Sequence, residues 1–321
     1  MEKTLVVMRK YRKRRFVQGA CMHVYQRSIA GVNVFYDDED YLVFISIVSV
    51  LRKVYNVTSL EICIMRNHVH LLIAAENLDD ISSFVRHYTS LFVTEFNRDI
   101  GRTGPLFHKS FGSAPKSGNK KIRSAIVYIG NNPVEKLMCS EARRYRWNFL
   151  AYLETRTPFS AAVPFKSVSH RYQMAVAEVK DMIRGNRHLS YPQVRRLLYS
   201  VPVSEKDLLI DFIISSYKVL DGDVLLSYYN SFDEMLFAMK STSGSEYDIK
   251  EQYDPNSDAV YDDMVRFVIE KLGVVPARSV ISMPFDRKMD VANALRRHTS
   301  ATLMQISRFL HLDVQKWMES K

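Results

Sequence analysis

Three cysteines in 321 residues, Cys21, Cys63 and Cys139, are too few and too scattered for a disulfide framework or a zinc cluster. Cys63 lies in an apolar stretch and reads as core. Long apolar runs are also missing, since none approaches the roughly 20 residues that a membrane helix needs. The N-terminus sets apolar Leu5-Val6-Val7-Met8 ahead of a basic cluster, the reverse of a signal peptide. A disulfide scaffold and a membrane protein are thereby set aside, and a cytoplasmic protein, or one at the bacterial nucleoid, is expected. Acidic residues are outnumbered, 35 against 45 Lys and Arg, and the net charge of +10 favours a polyanionic partner. With 47% hydrophobic and 25% charged residues the chain is globular, and its length allows two or three domains.

Hydrophobic periodicity orders the first half. Residues Gln18–Gln26 read as a strand with Val24 and Tyr25 at its middle. Asp37 and Asp38 offer N-cap oxygens to a helix running to about Val54, with Tyr41, Phe44, Ile45, Val48, Leu51 and Val54 along one stripe. Strands are expected over Val57–Met65 and from His68 to about Ala75. Asp79 and Asp80 are placed to cap the next helix, in which Ile81, Phe84, Val85, Tyr88, Phe92 and Phe96 keep helical spacing and Gly101 marks the end. A short strand near Leu106–Phe111 and a basic loop from Lys116 precede a helix over Asn119–Asn131, with Ile122, Ala125, Ile126 and Ile129 as its buried stripe and Pro133 closing it. The order strand-helix-strand-strand-helix-strand is the ferredoxin-like split βαβ pattern, an α+β fold with an antiparallel sheet. An RNA-recognition module shares this order but displays stacking aromatics on its two central strands. Here those segments carry Cys63, Met65, His68 and His70, which suits a metal site better.

Beyond residue 152 the pattern turns helical. A middle region over 153–243 holds amphipathic segments at Tyr172–Ile183, Tyr191–Ser200, Glu205–Val219 and Phe232–Met239. Residues 244–263 are acidic and read as a linker. Residues 264–321 follow as a helical module, with segments at Asp290–His298, Thr302–Leu310 and Val314–Glu319 spaced as in a helix-turn-helix. A plain packing hairpin fits the same spacing. Ile306, Phe309 and Leu310 would face its core, and His311 stands where a turn residue with positive φ is needed.

The run Asn67-His68-Val69-His70-Leu71-Leu72 is the most telling local feature. Side chains two apart on a strand share a face, so His68 and His70 stand side by side and can hold one divalent cation. Downstream lies Tyr128-Ile129-Gly130-Asn131-Asn132-Pro133-Val134. Further motifs accompany these two: Tyr36-Asp37-Asp38-Glu39-Asp40-Tyr41, Phe96-Asn97-Arg98 with Gly101-Arg102-Thr103-Gly104, and Tyr145-Arg146-Trp147. Together, in order and spacing, they resemble the HUH single-tyrosine transposases, most closely the REP-associated tyrosine transposase branch. The resemblance covers about the first 150 residues, and residues 1–152 are expected to form the nuclease domain.

This resemblance implies a metal-dependent single-stranded DNA endonuclease and strand-transferase acting at hairpin-forming repeats. Tyr128 matches the nucleophile, which becomes linked to a DNA 5′-phosphate and needs no organic cofactor. Ser124, Tyr128 and Asn132 follow at intervals of four on the helix, so Asn132 can add an oxygen ligand to His68 and His70. Two imidazoles with amide and phosphate oxygens suit Mg²⁺ or Mn²⁺, whereas zinc would more often have a cysteine or a third histidine. Asn131 fits a helix cap or a DNA contact equally. Arg9, Lys10, Arg12, Lys13, Arg14 and Arg15 put six basic side chains into seven positions, an arm suited to phosphates. Lys116, Lys120, Lys121 and Arg123 precede or open the tyrosine helix and are placed to grip the strand being cut. Arg66 stands where the family has proline, and is a further candidate phosphate contact; Phe107-His108-Lys109-Ser110-Phe111 follows the family's aromatic-basic pattern loosely. His23, His87, His108, His170 and His188 have no partners in sequence and read as ordinary residues. A non-catalytic, domesticated DNA-binding regulator on the same fold is the alternative. Monomer and homodimer are equally compatible with the sequence.

Overall fold

The computed structural model describes residues 16–161, 163–164, 167–241, 257–313 and 317, so the basic arm from Arg9 to Arg15 lies outside the described residues. The sheet domain runs β1 (Cys21–Arg27), α1 (Asp38–Val54), β2 (Thr58–Ile64), β3 (His68–Ala74), α2 (Leu78–Asp99), β4 (Gly112–Lys116) and α3 (Asn119–Glu135). Its four strands lie in the order β2-β3-β1-β4, with every neighbouring pair antiparallel. This is the split βαβ arrangement expected from the sequence.

Local chemistry explains the elements. Asp37 caps α1 by accepting from the Glu39 N–H, and Asp40 reaches back to the Asp37 N–H, a reciprocal capping box. Tyr41, Phe44, Ile45, Val48 and Leu51 are buried as the stripe requires, but Val54, at the end of α1, is 65% exposed. The cap of α2 is Asn77, whose Oδ1 accepts from the Asp80 N–H at 2.8 Å, rather than Asp79 or Asp80. Gly101 follows the helix with φ +65°, where a β-carbon would be strained.

The fourth strand and the end of α3 fall elsewhere than expected. The fourth strand is Gly112–Lys116, and near Leu106–Phe111 only an isolated bridge joins Ser28 to Phe107. Leu106 and Phe107 are instead buried anchors for an irregular stretch. Gly, Ser, Ala and Pro are weak strand formers, but β4 is an edge strand, where Pro115 is tolerated. Helix α3 continues past Pro133 to Glu135, because a proline in the last turn forfeits only one hydrogen bond near an end that frays in any case.

The helical half comprises α4 (His170–Arg184), α5 (Tyr191–Ser200), α6 (Lys206–Tyr217), α7 (Gly222–Leu226), α8 (Phe232–Ser241), α9 (Val260–Glu270), α10 (Phe285–His298) and α11 (Leu303–Leu310). Helix α9 begins inside the stretch expected to be linker, because Val260, Tyr261, Met264 and Val268 form a buried stripe beneath its acidic residues. Of the last expected segment, Val314–Glu319, only Trp317 is described, and it is buried. Ile306, Phe309 and Leu310 of α11 are buried, and His311 has φ +51°.

These helices pack onto the sheet domain. The Tyr36 hydroxyl donates to the Phe309 carbonyl, the Asn33 N–H to Arg308 at 3.1 Å, and His311 Nε2 to the Asn33 carbonyl at 2.6 Å. Arg278, wholly buried, reaches Asp37, Glu39, Asp40 and Asp99. Its guanidinium lies 4.1 Å from the centre of the Tyr191 ring.

Candidate active site

Strand pairing decides which side chains meet. His70 of β3 lies opposite Tyr25 of β1 and Cys63 of β2, while His68 lies opposite Arg27. Paired residues share a face, so His68, His70, His23, Tyr25, Glu61 and Cys63 all project to one side of the sheet. Helix α3 covers that side and brings Tyr128 against it. An RNA-recognition sheet would leave such a face open.

The rings converge. The His68 and His70 centroids are 5.0 Å apart and nearly perpendicular, and Tyr128 stands 5.7 Å from His70. The His68 Nδ1 is 2.6 Å from Asn67 Oδ1, and the His70 Nδ1 is 2.9 Å from His23 Nε2. With Nδ1 committed on both rings, Nε2 is the nitrogen that each would offer a cation. Asn132, one turn beyond Tyr128, donates its amide hydrogen to the Tyr128 carbonyl at 3.4 Å. The amide oxygen is the atom it would present to a hard cation. Among the described residues no group of three or more His, Cys, Asp or Glu is placed to hold a metal. The candidate donors are thus two imidazoles and one amide oxygen, a set whose chemistry would suit Mg²⁺ or Mn²⁺ completed by phosphate or water oxygens. His68, His70, Tyr128 and Asn132 are all buried.

The basic candidates separate. Lys120 and Lys121 are exposed in the first turn of α3. Arg123 pairs with Glu234 at 2.8 Å and lies over the Tyr229 ring, tying α3 to α8. Lys116 is buried at the end of β4, where backbone pairing with Cys21 holds it. Arg66, expected as a phosphate contact, is also buried: it donates to the Phe35 and Tyr36 carbonyls and pairs with Asp262 of α9. Asn131 neither caps the helix nor faces solvent, and its amide donates to the Met239 carbonyl at 2.7 Å.

Two residues of this face were not legible in sequence. His23, expected to be an ordinary residue, is buried, bonded to His70, and 5.7 Å from the Tyr128 ring. Alternation along β1 puts it on one face with Tyr25, but only the β1–β3 register sets it beside His70. Glu61 is a wholly buried carboxyl in an apolar strand, and burial pushes its pKa well above the ordinary carboxylate value. It faces Gly130 of α3, where an added β-carbon would stand 2.9 Å from Glu61 Oε1 and 2.6 Å from Met239. That glycine lets α3 approach the sheet closely. The one charged residue inside Val57–Met65 was its signal in sequence.

Comparison with known proteins places part of the chain. Residues 2–132 match the family model described as "Transposase IS200 like". A solved chain described as "Structure of the REP associates tyrosine transposase bound to a REP hairpin" is similar at 16% identity, with a TM-score of 0.39, over 49% of this chain and 93% of that one. No curated protein matches the chain.

Proposed function

We propose that this chain, a member of the IS200-like transposase family over residues 2–132, is a metal-dependent single-stranded DNA endonuclease and strand-joining enzyme acting at hairpin-forming repeats. The observation that carries this reading is the convergence of His68 and His70 from β3 with Tyr128 from α3 on one sheet face, with Asn132 one helical turn beyond the tyrosine. The hairpin substrate and the 5′-phosphotyrosine are what the resemblance to the single-tyrosine transposases implies.

A free phenol has a pKa of about 10 and is a weak nucleophile at neutral pH. Mg²⁺ or Mn²⁺ held by His68, His70 and Asn132 would supply positive charge to the scissile phosphate. Tyr128 Oη attacks phosphorus, forming the O–P bond as the bond to the 3′-oxygen breaks. The proton lost by the phenol is matched by the one that completes the 3′-hydroxyl. The phosphotyrosine keeps the bond energy for rejoining, so no organic cofactor is needed. Lys120 and Lys121, exposed where α3 begins, contact the strand's phosphates, and the arm from Arg9 to Arg15 adds sequence-independent affinity. Because the site is covered, local opening over this face precedes entry of the strand.

The test is incubation with a single-stranded DNA hairpin and Mg²⁺ or Mn²⁺, followed by a denaturing gel. The expected result is a covalent protein–DNA adduct that Tyr128→Phe abolishes while hairpin binding stays within a few-fold. An adduct persisting in Tyr128→Phe would place the nucleophile elsewhere.

A further inference from the structure

A histidine binds a cation through a lone pair, so presenting Nε2 requires the ring proton to sit on Nδ1. At His68 the Asn67 amide oxygen, 2.6 Å from Nδ1, accepts that proton and fixes the tautomer. At His70 the partner is another imidazole: His23 Nε2 stands 2.9 Å from His70 Nδ1. One proton lies between these two nitrogens, and two arrangements are possible. If His23 Nε2 carries it, His70 must be protonated on Nε2 to be neutral, and no lone pair faces a cation. If His70 Nδ1 carries it, His23 accepts through Nε2 and holds its own proton on Nδ1.

We propose that His23 is a positioning residue for His70, accepting the Nδ1–H and so fixing both the tautomer and the angle at which Nε2 is presented. Its burial suits that role, because a buried ring held by strand β1 cannot swing away as a surface side chain could. The His23 and His70 rings are tilted by 44° with centroids 5.2 Å apart, and His23 stands 5.7 Å from Tyr128. One ring thereby spaces both the histidine and the tyrosine of the site. Partners of this kind commonly alter metal affinity by about 10- to 100-fold. The inference rests on the metal reading above, and its test separates the two.

The full-length protein is titrated with Mn²⁺ in the absence of DNA, following bound metal by electron paramagnetic resonance. His23→Leu, which cannot accept a hydrogen bond, is expected to weaken binding by roughly 10- to 100-fold. His23→Gln, whose amide oxygen can replace Nε2 as acceptor, is expected to retain most of the affinity. His70→Ala serves as the reference for the site itself. Binding that falls in His70→Ala but not in His23→Leu overturns the role of His23 alone. Binding that ignores His70 overturns the metal reading together with this one. A second measurement needs no variant: ¹⁵N spectra of the histidine-labelled, metal-free protein are expected to show neutral His70 with its proton on Nδ1. A His70 protonated on Nε2 would refute the assignment.

Discussion

Replacing Arg278 with methionine removes the guanidinium that joins the helical half to the start of α1, while keeping most of the volume. Four carboxylates surround that group, with contacts of 2.6 Å to Glu39, 2.6 Å to Asp99, 3.3 Å to Asp37 and 3.4 Å to Asp40. Arg195 would still pair with Glu39 at 3.0 Å and Asp99 at 2.8 Å, so the uncompensated charge falls on Asp37 and Asp40. Asp40 retains hydrogen bonds from the Tyr36 N–H at 2.7 Å and the Tyr191 hydroxyl at 2.8 Å. Removing one partner of a buried pair costs about 3–5 kcal/mol. With about 2.1 cal/mol/K of unfolding entropy per residue, that corresponds to a fall in Tm of roughly 4–7 °C for a cooperative unit of this size. Burial, and then the neighbouring Asp40, raise the Asp37 pKa to about 8, and burial also raises that of Asp40. A carboxyl with a raised folded pKa favours the folded state at low pH and loses that contribution as pH rises through the folded value. Loss of Arg278 raises both pKa values further, so wild type and variant separate as pH rises through about 8, and the deficit should be larger at about pH 9 than at about pH 6. Thermal unfolding of both proteins at these two pH values is the assay. A Tm shift below about 1 °C, or a deficit that does not grow with pH, would refute the assigned role of Arg278.

His68→Ala and His70→Ala should each remove nearly all cleavage, whereas Asn132→Ala should be milder and partly rescued by extra Mn²⁺; full activity in EDTA would dismiss the metal site. Burial lowers the His311 pKa to about 3, so the unfolded chain takes up a proton below about pH 6.5 and the folded one does not. Stability should therefore fall by up to about 2 kcal/mol on going to about pH 5, and His311→Asn, which accepts the positive φ, should lose less when urea unfolding is compared at the two pH values. Replacing Arg12, Lys13, Arg14 and Arg15 with alanine should flatten the slope of log affinity against log salt by about 2 to 3, equally for matched and scrambled strands in a filter-binding titration. An unchanged slope would remove the arm from the DNA path.

The sequence was most readable where one period dominates. Helices α1 and α2 bury long apolar stripes, and β2 and β3 are rich in Ile and Leu, so their order gives the split βαβ fold. Strand β4 was not readable, because its Gly-Ser-Ala-Pro composition is set by its edge position rather than by propensity. At the site, His68 and His70 were visible from their two-residue spacing on a strand, whereas Tyr128 was picked out by the resemblance that the ordered motifs carry, and Asn132 by its place one helical turn beyond. His23 and Glu61 reach the site's sheet face only through pairing between strands distant in sequence. The same limit applies to charge. Arg66, Lys116 and Arg123 look like solvent-facing cations in a basic chain, and only their surroundings distinguish them from Lys120 and Lys121.

The contact between Arg66 and Asp262 bears on how such a chain can be taken apart. Arg66 lies two residues before His68 and is held at one end by the Phe35 and Tyr36 carbonyls and at the other by a carboxylate of α9. Tyr36 in turn gives its hydroxyl to the last turn of α11. A fragment ending near residue 152 would carry Arg66 without the Asp262 carboxylate and Tyr36 without its acceptor, both on the flank of the histidine strand. Grafting it onto another helical partner would leave Arg66, two residues before His68, without the Asp262 carboxylate at its outer end.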